Sequence, residues 1–229
     1  MAVILNIETS TNVCSVAITD NGMVLEHFED YKGQNHAALL SGYIKDCLEY
    51  INKRGMKLEA VAVSIGPGSY TGLRIGLSEA KGLAYALDLP LIGIDTLKIM
   101  ACRVMFRHDI DPDALFAPMI DARRMEVYTS VLDLALNEKM APTPLILDEQ
   151  SYSQWLDNSK VIFFGNGSDK ARDVITHPNA IFIQNIHPLA TDMLALAEMA
   201  FRRNDFLDIA YSVPAYLKDF QATKPKNLL

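Results

Sequence analysis

The sequence predicts a mixed α/β fold in two lobes, spanning residues 1–105 and 106–229. Short apolar runs that are typical of buried strands alternate along the chain with amphipathic helical patterns. A strand, a glycine-containing loop and a helix follow one another twice, with Gly66-Pro67-Gly68 and Gly165-Asn166-Gly167 as the loops. The chain has 229 residues, half of them hydrophobic, which suffices for one large domain or two small lobes.

The first lobe opens with three predicted strands and a helix. The strands cover residues 2–7, 13–18 and 23–28, and the last two are joined by an Asp20-Asn21-Gly22 turn. The helix covers about 35–53, and its apolar arc is wider than a helix lying on a sheet usually needs. One apolar stripe fits the sheet. The second stripe needs a further partner, either another layer of this chain or another protein, and consists of Leu39, Tyr43 and Tyr50.

A predicted strand over 61–65 leads through a loop of small residues into a helix that starts near Gly72. A glycine-rich turn before a helix can bind anions, because free N–H groups and the helix dipole point the same way. The spacing fits neither the dinucleotide motif nor the P-loop, so a structural turn is the alternative. An acidic residue followed by hydroxyl-bearing residues connects the first two strands. This connection also has two interpretations: it contacts a phosphate or a metal, or it is simply a polar hairpin. The candidate phosphate-loop residues are Glu8, Thr9, Ser10, Gly66, Gly68 and Ser69.

The helix after this loop carries small residues at every fourth position, Gly72, Gly76 and Ala80. They lie on one side of the helix, and Gly82 is a further internal glycine. Each internal glycine costs about 0.5–1 kcal/mol relative to alanine, so a close approach to this backbone is expected. The approaching element is either a helix of the same domain or a helix of another chain.

The second lobe repeats features of the first. A strand over 89–94, a helix over 96–106 and an acidic turn over 109–113 mark the expected lobe boundary. Ile120-Asp121-Ala122-Arg123 resembles Ile7-Glu8-Thr9-Ser10, which suggests an internal duplication. A helix over 191–203 is expected to pack back across the lobe junction.

Composition excludes several classes of protein. No apolar run is long enough to span a membrane, and the N-terminus lacks the pattern of a signal peptide. Cys14, Cys47 and Cys102 are predicted to be buried thiols in a reducing cytoplasm. The net charge of −7 argues against autonomous nucleic-acid binding, although a partner could supply a positive surface.

The chain resembles the TsaB (YeaZ) family over nearly its whole length. The resemblance rests on ILNIETSTNVCSVAI, SIGPGSYTGLRIGLSEAKGLAYALDLPLIGIDTL, DARRMEVY and PAYLK. It implies an actin-like ATPase-domain fold of the ASKHA, ribonuclease H-like class. It also implies a cytoplasmic, non-catalytic subunit that supports the TsaD catalytic paralogue, with the ATPase TsaE as third component. That complex places threonylcarbamoyl on adenosine 37 of ANN-decoding tRNAs, so tRNA contact is expected only through the complex.

The catalytic paralogue has a His-x-x-x-His metal site, and the matching positions here are Thr96 and Met100. Neither is a suitable ligand for a hard metal, and the five histidines include no i,i+4 pair. We therefore expect no catalytic residue, cofactor or metal. The resemblance assigns the apolar stripe and the small-residue stripe to the TsaD interface, with a homodimer on the same patch at high concentration. The alternatives are a nucleotide-dependent small-molecule kinase or ATPase, and a tRNA-binding module acting alone.

Overall fold

The first of two five-stranded sheets is built from the N-terminal part of the chain, in a computed structural model that describes residues 2–33 and 35–218. Its spatial order is β3-β2-β1-β4-β5, with β1 antiparallel to β2 and parallel to β4. The strands are β1 Ile4–Glu8, β2 Cys14–Asp20, β3 Met23–Asp30, β4 Ala60–Gly66 and β5 Leu91–Asp95. The predicted turn before β3 has positive φ at Asn21 and Gly22, as a two-residue hairpin of this kind requires.

The second sheet repeats the first. Its order is β8-β7-β6-β9-β10, and β6 is antiparallel to β7 and parallel to β9. The strands are β6 Leu115–Asp121, β7 Glu126–Leu132, β8 Glu138–Ile146, β9 Val161–Phe164 and β10 Ala180–Ile183. Because β6 takes the place of β1, Asp121 and Glu8 end corresponding strands. This shared topology supports the internal duplication.

Helices cover both faces of the first sheet. The helices are α1 His36–Asn52, α2 Tyr70–Leu87, α3 Thr96–Arg107, α4 Ser153–Leu156, α5 Ser168–Arg172 and α6 Leu194–Arg203. α1 and α2 pack on one face, while α3, α6 and the 3-10 turn Ala190–Met193 pack on the other. The alternation of side chains along β1 feeds both cores, since Leu5 and Ile7 point to one and Ile4 to the other.

α3 joins the two sheets. Ile99 and Cys102 belong to the core under the first sheet, whereas Leu97 and Val104 pack with the second sheet. α6 contacts β1 and β5, so the chain returns to the first sheet after the second is complete. The lobe boundary near residue 105 stays a prediction, because α3 serves both cores and residues 219–229 lie outside the described part.

The three cysteines are buried and free, which confirms the prediction of buried thiols. Burial raises the pKa of each thiol to about 12, so the thiols stay protonated and unreactive at neutral pH.

Among the described residues, no helix combines the length and the apolar character needed to cross a membrane.

Candidate functional site

A cleft of about 560 Å³ lies between the loop edges of the two sheets. Five segments form it: the β1–β2 loop, the loop into the start of α2, the β6–β7 turn with the start of β7, the β9–α5 loop and the last described residues of the chain. The residues lining it are mainly polar and include Ser10, Thr11, Asn12, Ser69, Tyr70, Asp121, Arg123, Glu126, Tyr128, Tyr216 and Lys218. Of the six candidate phosphate-loop residues, Ser10, Gly68 and Ser69 line this cleft.

The structure brings these loop residues together, but they bind one another. The Ser69 N–H donates to the Ser10 carbonyl at 2.6 Å, and the Ser69 hydroxyl accepts from the Gly72 N–H at 3.2 Å as the N-cap of α2. This cap explains why α2 begins at Tyr70 rather than near Gly72. A Cβ at Gly68 would clash with the Ser10 carbonyl, and one at Gly66 would lie 2.9 Å from the Ala215 carbonyl. The loop is therefore an internal contact, and phosphate binding there stays a prediction.

Glu8 is fully buried at the end of β1. Its Oε1 accepts the Ser10 N–H at 2.8 Å, while its Oε2 has no hydrogen-bond partner among the described residues. Burial raises its pKa from 4.5 to about 7, although hydrogen bonds from Ser10 oppose the shift. Glu8 is thus a carboxyl group that holds its proton to nearly neutral pH.

The small-residue stripe of α2 packs inside this chain. Gly72, Gly76 and Ala80 are buried, and Thr9 is inserted against the two glycines. The Thr9 hydroxyl donates to the Gly72 carbonyl at 2.8 Å, and a Cβ at Gly76 would clash with that hydroxyl. The expectation that this stripe meets a partner helix is wrong, because the β1–β2 loop already occupies the space.

The second apolar stripe of α1 also packs on its own chain. Tyr43 is half-buried and stacks on Phe28 of β3 with ring centroids 5.3 Å apart. Tyr50 is half-buried too, with the Arg54 guanidinium 3.5 Å from its ring centroid. Leu39 is half-buried on the same side of the helix. Tyr43 and Tyr50 pack partly against the adjoining core, and all three side chains stay partly exposed, so their place in a partner interface stays a prediction.

An open groove instead runs between α1 and the outer side of α2, with a volume of about 660 Å³. We call it the α1–α2 groove. It is lined by Ala37, Ile44, Arg74, Ile75, Ser78, Glu79, Gly82, Leu83 and Ala86. The sequence contains a signal for this groove: Ser78, Gly82 and Ala86 form a second series of small residues at four-residue spacing.

The last described residues cross the cleft, and we call residues 207–218 the C-terminal strap. The Leu207 N–H donates to Leu91 of β5 at 2.8 Å, and the Ala215 N–H donates to the Ile65 carbonyl at 2.7 Å. Tyr216 stacks on Tyr70 at 5.0 Å. The Lys218 amine then reaches the Glu126 carboxylate of β7 at 2.6 Å. The C-terminal strap therefore connects the first sheet to the second along one wall of the cleft.

Thr96 and Met100, which we expect to occupy the positions of the paralogue's metal-binding histidines, lie in the core. Thr96 and Met100 are one turn apart on α3, and both are fully buried. Met100 packs so closely on Gly165 that a Cβ there would clash with its terminal methyl group. Within residues 2–33 and 35–218, no group of three or more His, Cys, Asp or Glu side chains is placed to hold a metal ion.

Comparison with known proteins gives matches over most of the chain. A family model described as TsaD, tRNA N6-adenosine threonylcarbamoyltransferase, matches residues 29–226. The tRNA threonylcarbamoyladenosine biosynthesis protein TsaB of Escherichia coli is 30% identical over 233 residues, covering 96% of each chain. The protein of the same name from Bacillus subtilis is 30% identical over 179 residues, covering 75% of this chain and 74% of its own.

A solved structure agrees with these matches. YeaZ from Pseudomonas aeruginosa superimposes with a TM-score of 0.77 at 28% identity, covering 95% of this chain and all of that one. The predicted α/β fold of the actin-like ATPase class is thereby confirmed.

The two glycine positions of α2 provide a matched test of the internal contact. Gly76→Ala should lower the free energy of unfolding by about 1–3 kcal/mol, because the added methyl group collides with a Thr9 side chain that its hydrogen bond holds in place. Gly82→Ala should raise it by about 0.5–1 kcal/mol, because nothing lies within 4 Å of a Cβ there. Urea denaturation of both variants measures the difference, and equal effects would contradict the described packing.

Glu8 should make stability depend on pH. Its pKa is about 7 in the folded chain and 4.5 ordinarily, so the folded state retains the proton while the unfolded state loses it. Wild-type stability should therefore fall as pH rises from about 4.5 to about 7, by at most ~3 kcal/mol, and then level off. Glu8→Gln removes this loss, so its stability advantage over wild type should grow between pH 5 and pH 8.

Denaturation of both proteins across this pH range measures the effect. Burial also raises the pKa of Asp95 to about 6, but Asp95 titrates in both proteins and cancels in the comparison. If the two free energies of unfolding differ by the same amount throughout this pH range, the pKa of Glu8 is not raised and Glu8 is ionised in the folded chain.

Proposed function

The chain belongs to the TsaB (YeaZ) family, and we propose that it is the non-catalytic subunit that binds and supports the TsaD transferase. Family membership places it in tRNA threonylcarbamoyladenosine biosynthesis. The proposed complex also contains the ATPase TsaE, and it modifies adenosine 37 in ANN-decoding tRNAs. Transfer RNA then meets this chain as part of the complex, and a homodimer uses the same surface when TsaD is absent.

The α1–α2 groove is the observation that carries the proposal. Gly82 lies in the middle of an 18-residue helix, is exposed, and has nothing within 4 Å of its Cβ position. A glycine there weakens the helix and serves no contact within the described chain. Close approach of another chain is a physical reason for it, since a small residue lets a second backbone come near. Ala37 on α1 and Ala86 on α2 are also exposed, so small side chains line the groove on both helices.

TsaD fits this groove because it is related to the chain itself. The TsaD family model matches 29–226, a range that includes both groove helices, so TsaD has counterparts of α1 and α2. Two related chains that dock through equivalent helices form a pseudo-symmetric bundle of four helices, in which the small residues of each pair admit the other. The charged rim fits a heteromeric interface, since Arg74 and Glu79 flank the apolar centre.

The buried α3 positions support a non-catalytic role. Thr96 and Met100 lie where the transferase is expected to bind its metal, and both are closed into the core. The alternative function, a nucleotide-dependent kinase, requires loops free to receive phosphates. Here the Ser69 N–H and hydroxyl are engaged by Ser10 and Gly72. No observation in the described chain favours that alternative.

Gly82→Arg should block TsaD binding and leave the fold intact. The arginine would stand where the partner backbone approaches, and overpacking of about 1–3 kcal/mol corresponds to a loss of affinity of roughly 5- to 150-fold. Its melting temperature should stay within a few degrees of wild type, because the position is open in the free chain. Titration with purified TsaD by calorimetry measures the affinity.

Met199→Arg is the matched control. Met199 is 43% exposed on α6, which covers the opposite face of the first sheet, and should tolerate arginine without loss of binding. Wild-type affinity in the Gly82→Arg variant would place the TsaD interface elsewhere.

A further inference from the structure

The β6–β7 turn, residues 121–126, has an unusual backbone. We call it the arginine turn. Arg123 and Arg124 have φ values of 73° and 51°, so two consecutive residues with long side chains adopt the left-handed conformation. Glycine and asparagine adopt this region with much less strain. Strain of this kind persists where the surrounding structure imposes it, and it is common at sites of function.

The surrounding contacts hold the arginine turn in place. The Asp121 carboxylate accepts the Arg123 N–H at 3.0 Å. The Lys170 amine pairs with Asp121 and also donates to the carbonyls of Arg124, at 2.7 Å, and Glu126, at 2.5 Å. The Lys170 side chain is only 19% exposed, so this anchor lies beneath the turn.

The same contacts leave positive charge on the outside. The two carboxylates of the turn are each paired with a lysine, Asp121 with Lys170 and Glu126 with Lys218. Arg123 and Arg124 are both exposed, and the described part of the chain provides no ion pair for either guanidinium. Just after β8, Asp148 accepts hydrogen bonds from the Ser151 hydroxyl and the Gln150 N–H. The turn therefore offers two guanidinium groups, on an anchored backbone, to an external anion.

Aromatic rings lie beside these charges. Arg123 lines the cleft together with Tyr128 of β7 and Tyr216 of the C-terminal strap. Tyr216 is 42% exposed, with one face stacked on Tyr70. Guanidinium groups bind phosphates in a bidentate manner, and aromatic faces stack on unpaired bases. An acidic protein surface would use the charges but has no need of the rings.

We propose that the arginine turn and the adjoining aromatic rings contact an unpaired, phosphate-bearing segment of RNA. The two guanidinium groups hold adjacent phosphates, and Tyr128 or Tyr216 stacks on a base. The proposal rests on the proposed function, which brings a tRNA to the complex. The net charge of −7 does not exclude this contact, because it involves only two phosphates. The partner holds the rest of the RNA, and the arginine turn only helps to position it.

The test is a double variant, Arg123→Asn with Arg124→Gly, titrated as the TsaD complex and as the single chain with an unmodified tRNA transcript. The replacements suit the left-handed backbone, so the melting temperature should equal or exceed that of wild type. Affinity of the complex for RNA should fall about 10-fold in ~0.1 M salt. The slope of log K against log salt should decrease by about 1.4, since each lost phosphate contact to a single strand contributes ~0.7.

Two controls separate charge from structure. Arg202→Ala with Arg203→Ala removes two arginines from α6 and should leave the RNA affinity unchanged. Arg123→Lys with Arg124→Lys keeps the charge and should retain most of the salt slope.

Assembly with TsaD is measured on the same samples. Unchanged RNA affinity and slope in the Asn/Gly variant would overturn the proposal. Loss of TsaD binding with RNA affinity preserved in the single chain would overturn it in favour of an acidic protein surface. If wild type fails to bind TsaD, the proposed function fails; NMR shifts of the Arg123 and Arg124 side-chain N–H groups, on titration of the single chain with a short single-stranded RNA at millimolar concentration, then decide whether the arginine turn binds phosphate.

Discussion

The side chain of Thr9 lies against the bare backbone of α2, and the orientation of this helix on the first sheet follows from this contact. The Thr9 hydroxyl donates to the Gly72 carbonyl, and Gly76 leaves the space that the side chain fills. α2 is therefore held with its small-residue face toward the β1–β2 loop. Because the helix cannot rotate, Ser78, Gly82 and Ala86 must face outward. The internal contact thus determines which surface of the helix remains for a partner.

The same contact closes the region where an actin-like fold has its polar loops. The Ser69 N–H donates to the Ser10 carbonyl, the Ser10 N–H donates to Glu8, and burial raises the pKa of that glutamate to about 7. A buried carboxyl without a second partner costs stability when it is ionised. The C-terminal strap adds a further connection, since its contacts run from β5 and β4 to Glu126 on β7. The cleft is therefore bounded by the chain's own segments on several sides.

Much of this fold follows from hydrophobic periodicity. The predicted strand over 61–65 lies within β4, and the predicted helix over 35–53 differs from α1 by one residue at each end. Periodicity also found the small residues of α2, but it could not decide what covers them. The covering element is the β1–β2 loop, more than 60 residues away in sequence. Periodicity cannot indicate the C-terminal strap for a related reason: the strap has no regular pattern, and its contacts with the two sheets are long-range.

The internal duplication places two corresponding connections in different environments. After β1, the loop turns inward, where α2 presents glycines and the loop residues are small enough to pack against them. After β6, the turn carries Arg123 and Arg124, whose side chains are too large and too polar to be buried in this way. That turn points outward and is anchored from below by Lys170. One sheet topology has thus produced a packed internal contact in one half and an exposed charged turn in the other. The residues of each connection, rather than the fold, account for the difference.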